Sequence, residues 1–409
     1  MAAMKRINQD DLRNHNLSVV LSVMLGSVTP LSRAELAKAT GLTKATMSLL
    51  VSLLLDSHVV KEGTPVVQSA YGRPSTPLSV NGGVMCGIGI QVNTDGYGYL
   101  VLDLDGAIVA ERWIAADLHD ADAQEIFAGL DGLLQGQERL LRDHGYTVAG
   151  TGLALPGLVT GDGHLIMARN LGWEDLDLNG FDLVRRLDVA AGNESDMAAI
   201  ALLPGYATQR ADEGLVSPGS SFVYVSTDIG IGGAVVRGGR VSRGEHGFAG
   251  ELGHLSVQMD GPLCVCGRRG CVEAFAGRRS MVELAGIATG DAAAGVPAIE
   301  EFMDRFRRGD PRVVGVVEQA ERAMESMMVS VVNLTDVDTI VLGGGWAHAA
   351  TDTLRAMRRH VQERILARDK VQVRLLDAGT QARHALMGAA AVGLRQFIDN
   401  PLGYLQSTD

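Results

Sequence analysis

Cysteine and long apolar runs are both scarce in this 409-residue chain. There is no run of roughly eighteen or more apolar residues, which argues against a membrane-spanning helix. The N-terminal stretch is polar and lacks the apolar core of a secretory signal, so we expect a cytoplasmic protein with no membrane partner. Four cysteines in such a context argue against a disulfide scaffold. An apolar content of 46% nevertheless allows substantial hydrophobic cores.

Because cysteine is scarce, its clustering is informative. Three of the four cysteines and one histidine lie between Gly250 and Glu273, in a segment bent by several glycines and a proline. The four candidate metal ligands are His254, Cys264, Cys266 and Cys271. One imidazole and three thiolates complete a tetrahedral shell for Zn2+ and leave no position for an activated water. We therefore predict a structural zinc rather than a catalytic one.

A disulfide pair and a set of unrelated buried thiols are the two alternatives to a metal site in this cluster. Cys264 and Cys266 are too close in sequence to pair easily, and such dense clustering by chance is improbable. Zinc is therefore the interpretation we prefer. The carboxylates Glu251 and Glu273 flank the cluster and indicate a site built beside the metal. The alternative for these two residues is a solvated surface charge.

The charge of the chain is uneven. Residues 1–80 contain eight Lys or Arg and five Asp or Glu, a net charge of +3. Since the whole chain carries −12, the remainder carries −15. A mildly basic segment joined to an acidic body is typical of a DNA-binding module on a body that does not itself contact DNA. The partner predicted for residues 1–80 is double-stranded operator DNA.

Residues 32–57 have the pattern of two short helices joined by a glycine turn. Ser32 and Glu35 have the spacing of a capping box, which starts a helix. Gly41 permits a tight turn, and Thr43 can cap a second helix that runs to about Ser57. We predict a helix-turn-helix, in which the second helix enters the major groove by its N-terminal end. The alternative is an ordinary helical hairpin followed by a linker.

Outward-facing residues at the start of this second helix are the candidate DNA contacts. They are Thr43, Lys44, Thr46 and Ser48, whereas Ala45 fits a position where the helices cross. No Arg or Asn lies on the helix, so base readout through hydrogen bonds is predicted to be thin.

A wing is predicted after the second helix. Val59–Val67 and Pro77–Val80 have the pattern of two short strands, and Arg73 between them is placed to enter a narrow minor groove. One such head reads few base pairs, so we expect a homodimer or a dimer of dimers on a pseudo-palindromic operator.

From Val84 onwards, strands alternate with helices. A helix is predicted over 122–143, a buried strand over 339–345, and helices over 349–367 and 383–398. The alternation occurs twice, which predicts two α/β lobes. The predicted domains are 1–80 for the winged helix-turn-helix, 81–200 for the first lobe with 381–409 packed against it, and 201–380 for the second lobe with the zinc loop.

The body resembles the ROK family of repressors, open reading frames and sugar kinases. The resemblance is carried by GELGH and by the CxCGxxGCxE pattern that follows it, and it covers about residues 82–398. The head resembles that of the repressor branch of the family. This resemblance implies an actin-like fold of two lobes that bind a sugar or sugar phosphate between them, with ATP bound there too in the kinases.

The resemblance also implies which residues face the sugar. By motif position they are Asn193, Glu194, Glu251, His254 and Glu273. Glu194 takes the place of the aspartate that is the catalytic base in family kinases, and its extra methylene displaces the carboxylate by about 1 Å or more. His254 can serve both sites, with one ring nitrogen on zinc and the other facing a sugar hydroxyl.

The phosphate-binding loops depart from the kinase pattern of the family. Gly89–Asn93 replaces a loop resembling DIGGTK with larger side chains, and Asp228 puts a negative charge where nucleotide phosphates would lie. Gly343–Gly345 is intact, although each glycine stretch is otherwise explained by a tight turn. We therefore predict that the chain is not an enzyme.

The predicted function is a sugar-responsive repressor of carbohydrate-metabolism genes, with a degenerate kinase body as the effector sensor. Lobe closure on the sugar is expected to move the heads of the dimer out of register with the operator. Two alternatives stay open: an active sugar kinase with an attached DNA-binding head, and a repressor released by a protein partner. For Asn170–Trp173, a wall of the sugar cleft and a place in the core are both open.

Overall fold

The computed structural model describes residues 8–65, 75–208, 215–227, 229–348, 351–379 and 383–405. The chain divides into two compact units. The first unit contains residues up to Pro218 together with the C-terminal segment from Arg383, and the second contains Gly219–Ala382. Arg73 and Asp228, both singled out by the sequence, lie outside the described residues.

The N-terminal part of the first unit, which we call the head, contains three helices and three short strands among its described residues. They are α1 (Gln9–Leu25), β1 (Leu31–Ser32), α2 (Arg33–Thr40), α3 (Lys44–Asp56), β2 (Val60–Glu62) and β3 (Pro77–Val80). Ser32 and Glu35 form the predicted capping box at the start of α2, and Gly41 ends that helix in the left-handed region. The Thr43 side chain caps α3 as predicted. Of the strand predicted over Val59–Val67, only Val60–Glu62 forms β2, which pairs antiparallel with β3, and Val66 and Val67 lie outside the described residues.

The rest of the first unit is an α/β lobe. Its elements are β4 (Met85–Asn93), β5 (Gly96–Asp103), β6 (Ile108–Ala115), α4 (Ala123–Asp143), β7 (Thr147–Leu155), β8 (Leu158–Val159), β9 (His164–Ala168), β10 (Trp173–Asp177), α5 (Asp182–Leu187), β11 (Ala190–Asn193) and α6 (Glu194–Ala201).

The second unit is also α/β, and two further helices return the chain to the first unit. The elements of the second unit are β12 (Phe222–Thr227), β13 (Ile231–Arg237), β14 (Arg240–Val241), α7 (Glu273–Ala276), α8 (Arg278–Leu284), α9 (Val296–Arg307), α10 (Pro311–Thr335), β15 (Thr339–Gly344), α11 (Thr351–Arg364) and β16 (Arg374–Asp377). The returning helices are α12 (His384–Asp399) and α13 (Pro401–Leu405).

Each unit has a five-stranded sheet with the same strand order. The order is β11-β7-β4-β5-β6 in the first and β16-β15-β12-β13-β14 in the second. In each, the central strand pairs parallel with one neighbour and antiparallel with the next strand of the chain. The sequence prediction of two α/β lobes is confirmed.

The sheet of the first unit is covered on both faces. On one face, Phe127 of α4 stacks on Phe181 with ring centroids 4.2 Å apart. On the other face α12 approaches β4 so closely that a Cβ on Gly89 would collide with the backbone of Leu386. Gly89 is therefore explained by helix packing. The C-terminal segment also holds the head, because the amide of Leu402 donates to Asn14 Oδ1 of α1 at 2.9 Å.

No helix among the described residues is long and apolar enough to cross a membrane.

Candidate metal centre and ligand-binding residues

The four predicted metal ligands converge in the second unit. Their side-chain ligand atoms lie within 4.8 Å of one another. Cys264 Sγ lies 3.6 Å from His254 Nδ1, and Cys266 Sγ lies 3.7 Å from Cys271 Sγ. With bonds of about 2.3 Å to sulfur and 2.0–2.1 Å to nitrogen, a tetrahedral zinc requires edges of about 3.6 Å and 3.8 Å for these two pairs. The cluster can therefore hold a metal ion, and zinc fits its donor set and spacing.

Backbone hydrogen bonds set this spacing. The amide of Cys264 donates to the carbonyl of Arg268 at 2.8 Å, and the amide of Gly267 donates back to the carbonyl of Cys264 at 2.9 Å. This tight turn brings Cys264 and Cys266 to one side. An isolated antiparallel bridge between Ser256 and Cys271 closes the loop.

The thiols of the cluster are strongly affected by their surroundings. Burial raises the pKa of the Cys264 thiol to about 12, so a thiolate there needs a cation beside it. All four cysteines of the chain are described, and all are free thiols. The disulfide alternative is therefore not realised.

Glu251 lies next to His254, one of the four residues of the metal cluster. With Nδ1 of His254 directed at Cys264, its Nε2 lies 3.8 Å from a carboxylate oxygen of Glu251. Burial of the Glu251 carboxylate, with the nearby charge of Glu273, raises its pKa, and His254 opposes this shift. The Glu251 side chain still keeps 45% of its surface exposed, so it can reach a ligand.

Glu273 is tied to the sheet of the second unit. Its Oε2 accepts a hydrogen bond from the backbone N–H of Ile231 at 2.9 Å, at the start of β13. A Cβ on Gly230 would collide with the same oxygen. Glu273 is therefore a positioned carboxylate rather than a solvated surface charge.

Glu194 lies in the first unit, where parallel strands end side by side. β4, β7 and β11 are neighbours and end at Asn93, Leu155 and Asn193. Ligands of α/β sheets bind at this carboxyl edge of parallel strands. The Glu194 carboxylate accepts hydrogen bonds from Asn93 Nδ2 at 3.0 Å and from Gln91 Nε2 at 3.4 Å.

These contacts of Glu194 were missed by the sequence reasoning. The signal was the alternation of β4, which places Gly87, Gly89, Gln91 and Asn93 on one face. Gln91 is 6% exposed, and its Oε1 has no hydrogen-bond partner among the described residues.

Asn193 has a local structural role. Its side-chain oxygen caps α6 by accepting from the amide of Ser195 at 2.7 Å, and its Nδ2 donates to the carbonyl of Gly157 at 2.8 Å. One N–H and one lone pair remain for a ligand.

Two further candidate ligand-binding segments are explained by packing. Trp173 is 7% exposed within the core of the first unit, and its Nε1 donates to the carbonyl of Ala121 at 2.7 Å. The cleft-wall interpretation of Trp173 is thus wrong. In the second unit, a Cβ on Gly343 would collide with the hydroxyl of Tyr224. Close packing is therefore sufficient to explain that glycine.

The outer face of α3 is open. Thr43, Lys44 and Ser48 are exposed as predicted. Thr46 is half-buried, and its hydroxyl lies 2.9 Å from that of Thr43. Ala45 is exposed rather than buried at a helix crossing, because the inward face is formed by Met47, Leu50, Val51 and Leu54.

The sequence reasoning also missed Leu49, which is 62% exposed on this outer face. Helical spacing from Met47, Leu50 and Leu54 was the signal that could have placed it outward.

Comparisons with known proteins agree with this architecture. The sequence profile of the ROK family matches residues 88–396. A xylose repressor from Bacillus subtilis (strain 168) is 24% identical over 393 residues, covering 96% of this chain and 98% of that protein. An N-acetylmannosamine kinase from Escherichia coli O157:H7 is 31% identical over 255 residues, covering 60% of this chain and 82% of the kinase.

A solved structure shows the same fold. The crystal structure of a ROK family transcriptional regulator, a homologue of the Escherichia coli Mlc protein, has a TM-score of 0.73 with this chain at 23% identity. The match covers 96% of this chain and 98% of that one. The resemblance drawn from the cysteine motif is confirmed, and the chain belongs to the ROK family.

Proposed function

We propose that this chain is a sugar-responsive transcriptional repressor, in which residues 1–80 form a winged helix-turn-helix that binds operator DNA. The proposal rests on how much of this chain each relative matches. The xylose repressor is matched over 96% of this chain, whereas the N-acetylmannosamine kinase is matched over 60%. The similarity to the repressor therefore extends over the head as well as the body.

The geometry of the head supports DNA binding. Helix α3 is capped at its N-terminal end, exposes a cation and hydroxyls there, and is followed by an antiparallel strand pair. Such a helix is suited to the major groove. The proposed contacts are Thr43, Lys44, Thr46, Ser48 and Arg73. Since one head reads few base pairs, we propose a homodimer or a dimer of dimers, acting in the cytoplasm.

We propose five sugar-binding residues in the body. They are Asn193 and Glu194 of the first unit and Glu251, His254 and Glu273 of the second. Carboxylates accept hydrogen bonds from sugar hydroxyls, and amides both donate and accept them. The hydrogen bonds that hold Glu194 and Glu273 fix these carboxylates before a ligand arrives, which reduces the entropy lost on binding.

We propose that the metal cluster holds a structural Zn2+. Its role is to fix the segment that carries His254 and Glu273. Four protein ligands fill a tetrahedral shell, so the metal supplies no activated water.

The absence of kinase activity is part of the proposal. The side chains of Gln91 and Asn93 bind Glu194 at the position of the first phosphate loop. These two side chains occupy space that a nucleotide phosphate would need at that loop. Gln91 and Asn93 are therefore unfavourable to a bound nucleotide.

The test begins with the full-length chain and a library of random duplexes. We expect selection of a two-fold symmetric duplex. Binding to it should weaken in Lys44→Glu, because the change replaces an exposed cation at the proposed contact by an anion that DNA phosphates repel. The matched control is Lys370→Glu, an equal charge change at an exposed site of the second unit, which should bind as the wild type does. Failure to select any duplex would contradict the proposal.

The kinase alternative is tested by ADP release from ATP over a panel of monosaccharides. We expect no turnover above the rate without protein. Phosphorylation of any sugar at a rate of about 1 per second or more, which is usual for kinases, would overturn the proposed loss of activity.

A further inference from the structure

The outer face of α3 has a composition that restricts how it can read DNA. Its exposed residues follow helical spacing on one side of the helix and are Lys44, Ala45, Ser48, Leu49, Ser52 and, at the C-terminal end, Asp56. The opposite side is the buried one, with Met47 and Leu54 fully covered. None of the described residues covers this outer face.

The face lacks the side chains that make paired hydrogen bonds to bases. Recognition of guanine uses Arg or Lys, and recognition of adenine uses Asn or Gln. Here Lys44 is the one such residue, and it stands in the first turn of α3 beside the cap, where contact with phosphate is also favoured. The hydroxyls of Ser48 and Ser52 accept and donate to any base.

What distinguishes the face is its apolar part. Leu49 is 62% exposed, more than the other large apolar side chains exposed on the described head, Leu12 at 54% and Val28 at 52%. Ala45 lies one helical turn before Leu49, so the two side chains are neighbours on the surface. In the major groove, the apolar group presented by base pairs is the 5-methyl of thymine.

Charge favours DNA over an apolar protein as the occupant of this face. Residues 1–80 carry a net charge of +3 on a chain whose remainder carries −15. The positive end of the α3 dipole also lies at the exposed residues Thr43 and Lys44. Double-stranded DNA, a polyanion with apolar methyl groups in its major groove, matches both the positive charge of the head and the apolar part of this face.

We propose that Leu49, together with Ala45, contacts thymine methyl groups in the major groove, so that α3 selects A·T pairs by apolar contact. This inference rests on the proposed DNA-binding function. It assigns specificity to a residue outside the set predicted from the sequence.

The test replaces thymine by uracil, which removes only the methyl group. The duplex selected with the wild-type chain is substituted one thymine at a time, and affinities are measured by fluorescence anisotropy at fixed salt. Wild type should lose about fourfold in affinity at each contacted position, the value for one buried methyl. Leu49→Ala should bind the thymine duplex more weakly and should show no further loss with uracil at one or more of those positions, whereas positions that Ala45 contacts should keep their response.

The matched control is Leu12→Ala, which truncates another exposed leucine of the head on α1. It should respond to uracil as the wild type does. Uracil without effect on the wild type, or with equal effect on Leu49→Ala, would overturn the inference while leaving DNA binding intact. A chain that selects no duplex would instead refute the proposed function and this inference with it.

Discussion

In the first unit, the central strand β4 lies against a core with four buried aromatic rings, those of Tyr99, Phe127, Trp173 and Phe181. In the second unit, the equivalent strand β12 lies against methionines of α10 and against residues next to the metal cluster, such as Val272. The sheets have the same strand order. The difference shows that one sheet topology can be packed mainly by aromatic rings in one copy and mainly by methionine and aliphatic side chains, with Trp346 as the buried ring of that cluster, in the other.

Removal of a ligand from the metal cluster is expected to have the greatest consequence, and it concerns the second unit. Cys264→Ser removes a ligand, so the zinc content should fall from about one ion per chain to near zero. Binding of a structural zinc contributes about 10–16 kcal/mol to folding in zinc-finger peptides, so the loop should lose protection against amide exchange when the ligand is removed. Mass spectrometry of metal content and of hydrogen exchange measures both.

Cys86→Ser is the control for that variant. Cys86 is buried in the core of the first unit and lies outside the cluster. It should keep its zinc. Retention of zinc and of loop protection in Cys264→Ser would show that the cluster is not a metal site.

The second prediction concerns the aromatic core of the first unit. Phe127 is 2% exposed, so Phe127→Ala leaves a cavity against Phe181 and should cost about 3–5 kcal/mol of unfolding free energy. Exchange should rise in the first unit, while the zinc content stays that of the wild type. Equal loss of protection in both units would mean that the two sheets unfold together and that the comparison has no energetic meaning.

The weakest predicted effect is a pH-dependent change in the free energy of unfolding of the second unit. On α10, burial and the charges of Glu325 and Glu318 raise the pKa of Glu321. A raised carboxyl pKa means that the folded state disfavours the ionised form, and this penalty is present above the folded pKa and vanishes below the unfolded value. Glu321→Gln should therefore stabilise the second unit at pH 7, by less than about 1 kcal/mol because the group is partly exposed.

That gain should disappear below about pH 4, which denaturant titrations at several pH values measure. A gain that persists at low pH would assign the effect to packing instead.

The sequence was sufficient to predict local features. The capping box of Ser32 and Glu35, the turn at Gly41 and the metal cluster follow from residue types at short spacing. The family was also predicted, because the cysteine motif is dense and specific.

Contacts between distant segments were not predictable. Asn93 and Glu194 are about a hundred positions apart, and only the parallel pairing of β4, β7 and β11 brings them together. The place of Trp173 also depended on three-dimensional packing, since the same residue suits a pocket wall and a core. The alternation of β4 indicated which face of the strand carries Gln91, but it did not identify Glu194 as the hydrogen-bond partner of that side chain.

We propose that a sugar bound by the body changes the affinity of the head for DNA. It is tested by titrating the selected duplex with the full-length chain, with and without saturating amounts of a monosaccharide that raises the melting temperature. We expect the dissociation constant for the duplex to change by about 5- to 150-fold, the usual range of coupling between sites. An unchanged dissociation constant for every stabilising sugar would contradict the account.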